Sequence, residues 1–280
     1  MIERDIATAD GRTVHVFDTG ARTLTLFWHH GSPQTGAPLE PLVRAAAERD
    51  IRLVSYARPS YGGSTPQQGR RVADAAVDTL AVADALGLDT FATMGASGGG
   101  PHALAGTLLG DRVIGVVTLA GIAPFTTEFD WFAGMAAPDG VRSAFISRGA
   151  RAAFVEVDEF DPNSFTARDY AALDGDWKSL GEDVGRSAKW GDDGLIDDDV
   201  AFASPWGFDP AAIGRPVLVV QGGDDRVVPR SHGEWMSRRI PTAELWLRPR
   251  DGHVSVLNAA PVAMDWLLSV ATSAAASATP

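Results

Sequence analysis

The sequence predicts an α/β fold: a mainly parallel sheet with helices on both faces, interrupted by an inserted helical segment. Three observations predict it. Short β-rich runs alternate with helix-like stretches over most of the 280 residues, the alternation breaks between residues 122 and 213, and negative charge collects in that break. At 45% hydrophobic residues the chain has enough apolar surface for one substantial core.

The strand-like runs are "RTVHVF", "LTLFWHH", "IRLVSYA", "TFATMG", "VIGVVTLAG", "PVLVVQG" and "AELWLR". Between several of them lie stretches with apolar residues near helical spacing, such as "LEPLVRAAAERD" and "VADAAVDTLAVADALG". Strands separated by helices pair in parallel and are covered on both faces, with right-handed crossovers. From residue 122 to 213 the periodicity turns helical, and aromatic and acidic residues mix in "FTTEFDWFAGM", "FVEVDEFDPNSF" and "WGDDGLIDDDVAFASPWGFD". We therefore divide the chain into a first core part (1–121), a helical insertion (122–213), a second core part (214–271) and a tail (272–280). The tail, in "VATSAAASATP", is small and polar and is expected to fray.

The insertion holds 18 of the 36 acidic residues but only 7 of the 24 basic ones, so nearly all of the net charge of −12 lies there. A solvated helical surface is the simpler reading; a field over a site mouth that disfavours anionic substrates is the functional one. The net charge argues against nucleic acid as a partner, because phosphate binding needs clustered Lys and Arg. With no cysteine, the chain has no disulfide, no thiolate metal site and no cysteine nucleophile. Charges at Glu3, Arg4 and Asp5 stand where a signal peptide would need an apolar run, and no later apolar run is long enough for a bilayer. The expectation is a soluble, cytoplasmic protein without a membrane partner.

One motif stands out. Gly95-Ala96-Ser97-Gly98-Gly99 reads G-x-S-x-G, with a strand pattern before it and a helix pattern after it, and Pro101 suits that helix's first turn. Such a serine sits on a sharp strand-to-helix turn, where glycines let neighbouring backbone approach. A nucleotide-binding loop is the competing reading, but no G-K-[ST] follows and Ser97 stands where G-x-G-x-x-G needs its second glycine. A serine hydroxyl becomes a nucleophile only when a base takes its proton and a third group holds that base. "PVLVVQGGDDRVVP" ends a strand in the acidic pair Asp224 and Asp225, and "AELWLRPRDGHVSVLNAAP" ends another in a loop carrying His253. Among the other histidines, His15 alternates within a strand, His102 lies in the helix after Ser97, and His232 falls in the helical stretch "RSHGEWMSRRI", all consistent with structural roles.

The chain order serine, acid, histidine is that of the α/β-hydrolase arrangement, and from Arg12 to about Ala271 the sequence resembles that superfamily. The resemblance implies the α/β-hydrolase fold, with the insertion as a cap. It favours Asp225 over Asp224, because Gly222 to Pro229 resembles the family's G-x-x-D-x-x-V-P acid loop. "HHGSPQTG" resembles its H-G-x-P loop, which implies an oxyanion hole built from the backbone N–H groups of Ser32 and Gly98, with His30 shaping the loop. "YARPSYGGST" resembles the R-G-x-G-x-S loop with a proline and a tyrosine inserted, which implies that Arg58 and the glycines support the oxyanion loop.

The function implied is a serine hydrolase that cleaves a carboxylic ester or lactone through an acyl-enzyme, with Ser97 as nucleophile, His253 as base and Asp225 orienting it. No metal and no organic cofactor is expected. The partner expected is a small-molecule substrate, neutral and partly apolar. Trp131, Phe132, Trp177, Trp190 and Trp206 are candidates for an apolar acyl pocket, with core packing as the alternative. Haloalkane dehalogenases and epoxide hydrolases share H-G-x-P but use a carboxylate nucleophile, and proline iminopeptidases carry H-G-G-P-G where this chain reads His30-Gly-Ser-Pro-Gln34. A carbon–carbon bond hydrolase, an aminopeptidase or a cofactor-free perhydrolase would use the same triad. A ligand sensor with little turnover is the alternative of another class.

Overall fold

The computed structural model describes residues 1–277. Eight strands form one sheet in the order β1-β2-β4-β3-β5-β6-β7-β8: β1 (Ile2–Ala7), β2 (Thr13–Asp18), β3 (Leu24–His29), β4 (Ile51–Tyr56), β5 (Phe91–Ala96), β6 (Val113–Leu119), β7 (Val217–Gly222) and β8 (Ala243–Arg248). β2 runs antiparallel to both β1 and β4, and every pair from β4 across to β8 is parallel. Parallel strands covered on both faces need apolar residues at every position. All six residues of β3, of β5 and of β7 are accordingly buried.

Alternation within the strands divides the interior into two layers. Leu24, Leu26 and Trp28 of β3, with Met94 of β5, face one side, where α1 (Glu40–Ala47) and α10 (Ala260–Ser277) pack through Leu42, Met264 and Leu267. Phe27 and Phe91 point to the other, against α2 (Ala75–Ala85), α3 (Gly99–Ala105) and α9 (Arg230–Arg239), which contribute Val82, Leu104 and Met236. Each fully buried aliphatic or aromatic side chain of this kind stabilises the fold by about 1.5–3 kcal/mol.

Between β6 and β7 lie five helices: α4 (Asp139–Ile146), α5 (Arg148–Val155), α6 (Ala167–Asp174), α7 (Lys178–Ser187) and α8 (Asp193–Ala203). Ion pairs join α5 to α8, from Arg148 to Asp193 and Asp197 at 2.6 Å each and from Arg151 to Asp199 at 2.6 Å.

Two expectations need correction. β1 has no counterpart among the strand-like runs, because it is an edge strand on which only Ile6 is buried and charged residues occupy three other places. The tail does not leave its helix at residue 272: α10 continues through Ser277, as an alanine-rich segment favours. Residues 278–280 lie outside the described residues. Among the described residues, no helix is long and apolar enough to cross a membrane.

Candidate active site

The loops that leave the carboxyl ends of β3, β4, β5, β7 and β8 carry the sequence-predicted residues, and a parallel sheet places all those ends along one edge. Ser97 is the first residue beyond β5 and has a φ of 53°, in the left-handed region that side chains with a Cβ disfavour. The chain can turn this sharply because its flanks are glycine: a Cβ on Gly99 would lie 2.0 Å from the His29 carbonyl oxygen. The Ser97 N–H donates to the Leu119 carbonyl at 2.9 Å, anchoring the turn to β6.

His253, five residues past the end of β8, lies between the serine and an acid. Its Nε2 is 3.0 Å from Ser97 Oγ and its Nδ1 is 2.9 Å from Asp225 Oδ2. A carboxylate only accepts, so Nδ1 carries the proton and Nε2 presents a lone pair to the serine hydroxyl. Burial opposes a charge on the imidazole, but the attraction and hydrogen bond of Asp225, together with the charge of Asp169, outweigh it and raise the His253 pKa above its ordinary value. Asp225 is itself fixed: its Oδ1 accepts from the N–H groups of Val227 and Val228 at 2.8 and 2.9 Å. Asp224 is exposed and its backbone N–H bonds to the Asp251 carbonyl, so of the acidic pair it is Asp225 that meets the histidine.

Ser32 and Gly98 also come together, since a Cβ on Gly98 would stand 2.6 Å from Ser32 Oγ and 3.1 Å from the Phe202 ring. His30 shapes this loop. Its Nδ1 donates to the Gly31 carbonyl at 2.6 Å and its Nε2 accepts from the Arg58 N–H at 3.1 Å, while burial and the Arg58 charge hold its pKa well below the ordinary value. His102 closes the turn behind Ser97 by donating from Nδ1 to the Gly98 carbonyl at 2.6 Å, and burial lowers its pKa to about 3. His232 bridges the Ala123 N–H and the Trp131 carbonyl, at 3.2 and 2.9 Å, and His15 sits on β2 beside Asp5.

The five aromatic candidates are not gathered into one lining. Trp131, Trp177 and Trp206 are each 2% exposed and spend their surface on packing. The indole N–H of Trp131 donates to the Ala123 carbonyl at 3.0 Å and that of Trp177 to Asn258 Oδ1 at 2.8 Å. Phe132 stacks edge-on against Trp131, Trp206 lies against Phe208, and Trp190 is 37% exposed beside Lys189. The aromatic residue beside Gly98 is Phe202, at the end of α8, and no local pattern in the sequence singles it out.

The larger omission is a set of acids. Asp169, Asp183 and Asp198 belong to α6, α7 and α8, and none of them has measurable exposure. Asp198 accepts from Ser32 Oγ at 2.5 Å, Arg58 Nη2 at 2.7 Å, Arg70 Nη2 at 2.7 Å and the Tyr61 hydroxyl at 2.9 Å. Burial would raise its pKa, but Arg58 and Arg70 overcome that and hold it far below the usual carboxylate range. Asp183 accepts from Thr35 Oγ1 at 2.6 Å and from the Thr35 N–H at 3.0 Å, on the loop after Pro33. The acidity of the insertion is thus in part interior, aimed at loops of the core.

A family model described as the alpha/beta hydrolase family matches residues 26–265. Among solved structures the chain is similar to a bromoperoxidase from Bacillus anthracis (TM-score 0.73, 22% identity, covering 96% of this chain and 100% of that one). An esterase from Thermogutta terrifontis gives a TM-score of 0.71 at 21% identity, over 96% and 99% of the two chains. One from Rhodococcus sp. ECU1013 gives 0.69 at 22%, over 96% and 100%. At such identities these likenesses speak for the fold. No curated protein matches the chain significantly.

Proposed function

The chain belongs to the alpha/beta hydrolase family, and from that premise we propose that it is a serine hydrolase cleaving a carboxylic ester or lactone through an acyl-enzyme. The observation that carries this reading is the hydrogen-bonded line from Ser97 through His253 to Asp225, at 3.0 and 2.9 Å, with the serine held at a φ of 53°. Those distances are within the reach that proton transfer requires.

In the proposed cycle Ser97 Oγ attacks the substrate carbonyl carbon while His253 Nε2 takes its proton and Asp225 steadies the imidazolium. The backbone N–H groups of Ser32 and Gly98 receive the developing oxyanion, a contribution worth about 3 kcal/mol for each donor in enzymes of this type. His253 then returns the proton to the leaving alcohol, and the acyl ester on Ser97 is hydrolysed by water activated in the same way. An ester or lactone is favoured because this machinery suffices for it. Residues 122–213 act as a cap over the site, and Phe202 beside Gly98 gives it an apolar wall suited to a neutral, partly apolar small molecule.

Steady-state hydrolysis of p-nitrophenyl esters of increasing acyl length, by the wild type and Ser97→Ala, tests the reading. Sustained turnover that is lost in Ser97→Ala is expected, with a chain-length preference that measures the acyl pocket. A single burst or simple binding without continued product release would point to a sensor.

A further inference from the structure

The line from Ser97 to Asp225 fixes the His253 ring, but the loop that carries it, residues 252–255, has to be held by something else. Its hydrogen bonds converge on one carboxylate of the insertion. Asp169 Oδ1 accepts from the Val254 N–H at 2.8 Å, the Ser255 N–H at 2.7 Å and Ser255 Oγ at 2.9 Å. Ser255 Oγ in turn accepts from the Gly252 N–H at 2.8 Å. The backbone N–H groups on both sides of His253 are thereby tied to Asp169, directly or through one hydroxyl.

The approach is close enough to dictate sequence, since a Cβ on Gly252 would lie 2.0 Å from Asp169 Oδ2. The other oxygen of Asp169 serves its own helix. Oδ2 accepts from the Thr166 N–H and hydroxyl, both at 2.8 Å, closing the capping box at the start of α6. One side chain therefore terminates a helix of the insertion and holds a loop of the core, and its burial is matched by five donated hydrogen bonds.

We infer that Asp169 is a positioning residue for His253, through which the seating of α6 on the core sets the histidine in line with Ser97. This rests on the serine-hydrolase reading for its effect on rate, though the loop contacts themselves do not. Proton transfer tolerates little misplacement, and a shift of about 1 Å costs on the order of 100-fold in rate. A loop released from its carboxylate leaves two N–H groups and a hydroxyl to find other partners, and the imidazole moves with them.

Two variants separate positioning from helix capping. Asp169→Asn puts an NH2 group against donors at one of its two ends, whereas Thr166→Val removes the capping hydroxyl and leaves the contacts to Val254 and Ser255 intact. The readouts are amide hydrogen exchange at Val254 and Ser255, the rate of fluorophosphonate labelling, and kcat and KM on p-nitrophenyl acetate, all below the melting temperature of each variant. Asp169→Asn is expected to speed exchange at both amides at least tenfold, to slow labelling and lower kcat at least tenfold, and to leave KM within about twofold. Thr166→Val should change none of these beyond about twofold. Unchanged exchange and labelling in both Asp169→Asn and Asp169→Ala, which keeps no acceptor on either side, or equal effects in Asp169→Asn and Thr166→Val, would overturn the inference. Should Asp169→Asn fail to fold, Ser255→Ala, which removes one of the donors to Oδ1, carries the same comparison against Thr166→Val with a smaller expected effect. A folded wild type that is never labelled, with exchange changing as expected, would sink the nucleophile reading and leave the loop-holding role of Asp169 standing.

Discussion

Asp225 and Asp169 approach the same histidine from opposite parts of the molecule and do different work. Asp225, on the loop after β7, touches the imidazole itself at 2.9 Å. Asp169, in α6 of the insertion, bonds instead to the two backbone N–H groups that follow it and to the Ser255 hydroxyl, which in turn accepts from the Gly252 N–H before it. The same division runs through the site: the core carries Ser97, His253 and Asp225, the groups proposed to react, and the insertion supplies buried charges that hydrogen-bond to the loops of the core. Asp198 does for Ser32 and Arg58 what Asp169 does for residues 252–255. Geometry at a site of this kind is a property of both regions, although the chemistry is assigned to one.

The largest effect is expected on the core side. Asp225→Asn keeps the shape but lets Nδ1 lose its carboxylate, so the wrong tautomer faces Ser97, and kcat on a p-nitrophenyl ester should fall about 10⁴-fold with an unchanged circular dichroism spectrum. On the insertion side the first effect is on stability. Asp198→Ala leaves Arg58 and Arg70 buried with no carboxylate, and urea unfolding should register a loss of about 3–5 kcal/mol.

A smaller effect follows from the raised pKa of His253. The base must be neutral to accept the serine proton, and an imidazole that holds its own proton more tightly releases it only at higher pH. The acid limb of kcat/KM should therefore lie above pH 6.5, with activity lost as pH falls through it. An acid limb at or below 6.5 would mean that Asp225 and Asp169 do not stabilise the imidazolium as the geometry requires. The smallest effect separates the buried acids from their exposed neighbours: Asp192, at the solvent-facing start of α8, should change stability by less than about 0.5 kcal/mol when replaced by Asn.

This division also decides how much could be read without a structure. Seven of the eight strands were legible as short β-branched and apolar runs, clearest in β3, β5 and β7, parallel strands whose every residue is buried. β1 escaped because an exposed edge asks only for one inward residue, Ile6. Ser97, Asp225 and His253, which the structure brings within hydrogen-bond distance in one line, could be picked out because each follows such a run, within a short local pattern.

The acids of the insertion carried no such mark. Asp197, Asp198 and Asp199 are consecutive, yet a helix turns each about 100° from the next. They meet Arg148, the Arg58–Arg70 pair and Arg151 respectively, and nothing in "DDD" distinguishes the interior partner. Thr166-x-x-Asp169 does resemble a capping pattern, but that accounts only for the half of Asp169 facing its own helix. The glycine before His253 was the other visible trace, and its reason lies 83 residues away in the chain.

Whether Ser97 is an activated nucleophile is decided by intact-mass measurement after fluorophosphonate treatment. One covalent adduct per folded chain is expected, located at Ser97 by peptide mapping and absent in Ser97→Ala. A folded wild type that takes up no label, or a Ser97→Ala chain labelled to the same extent, would contradict that role.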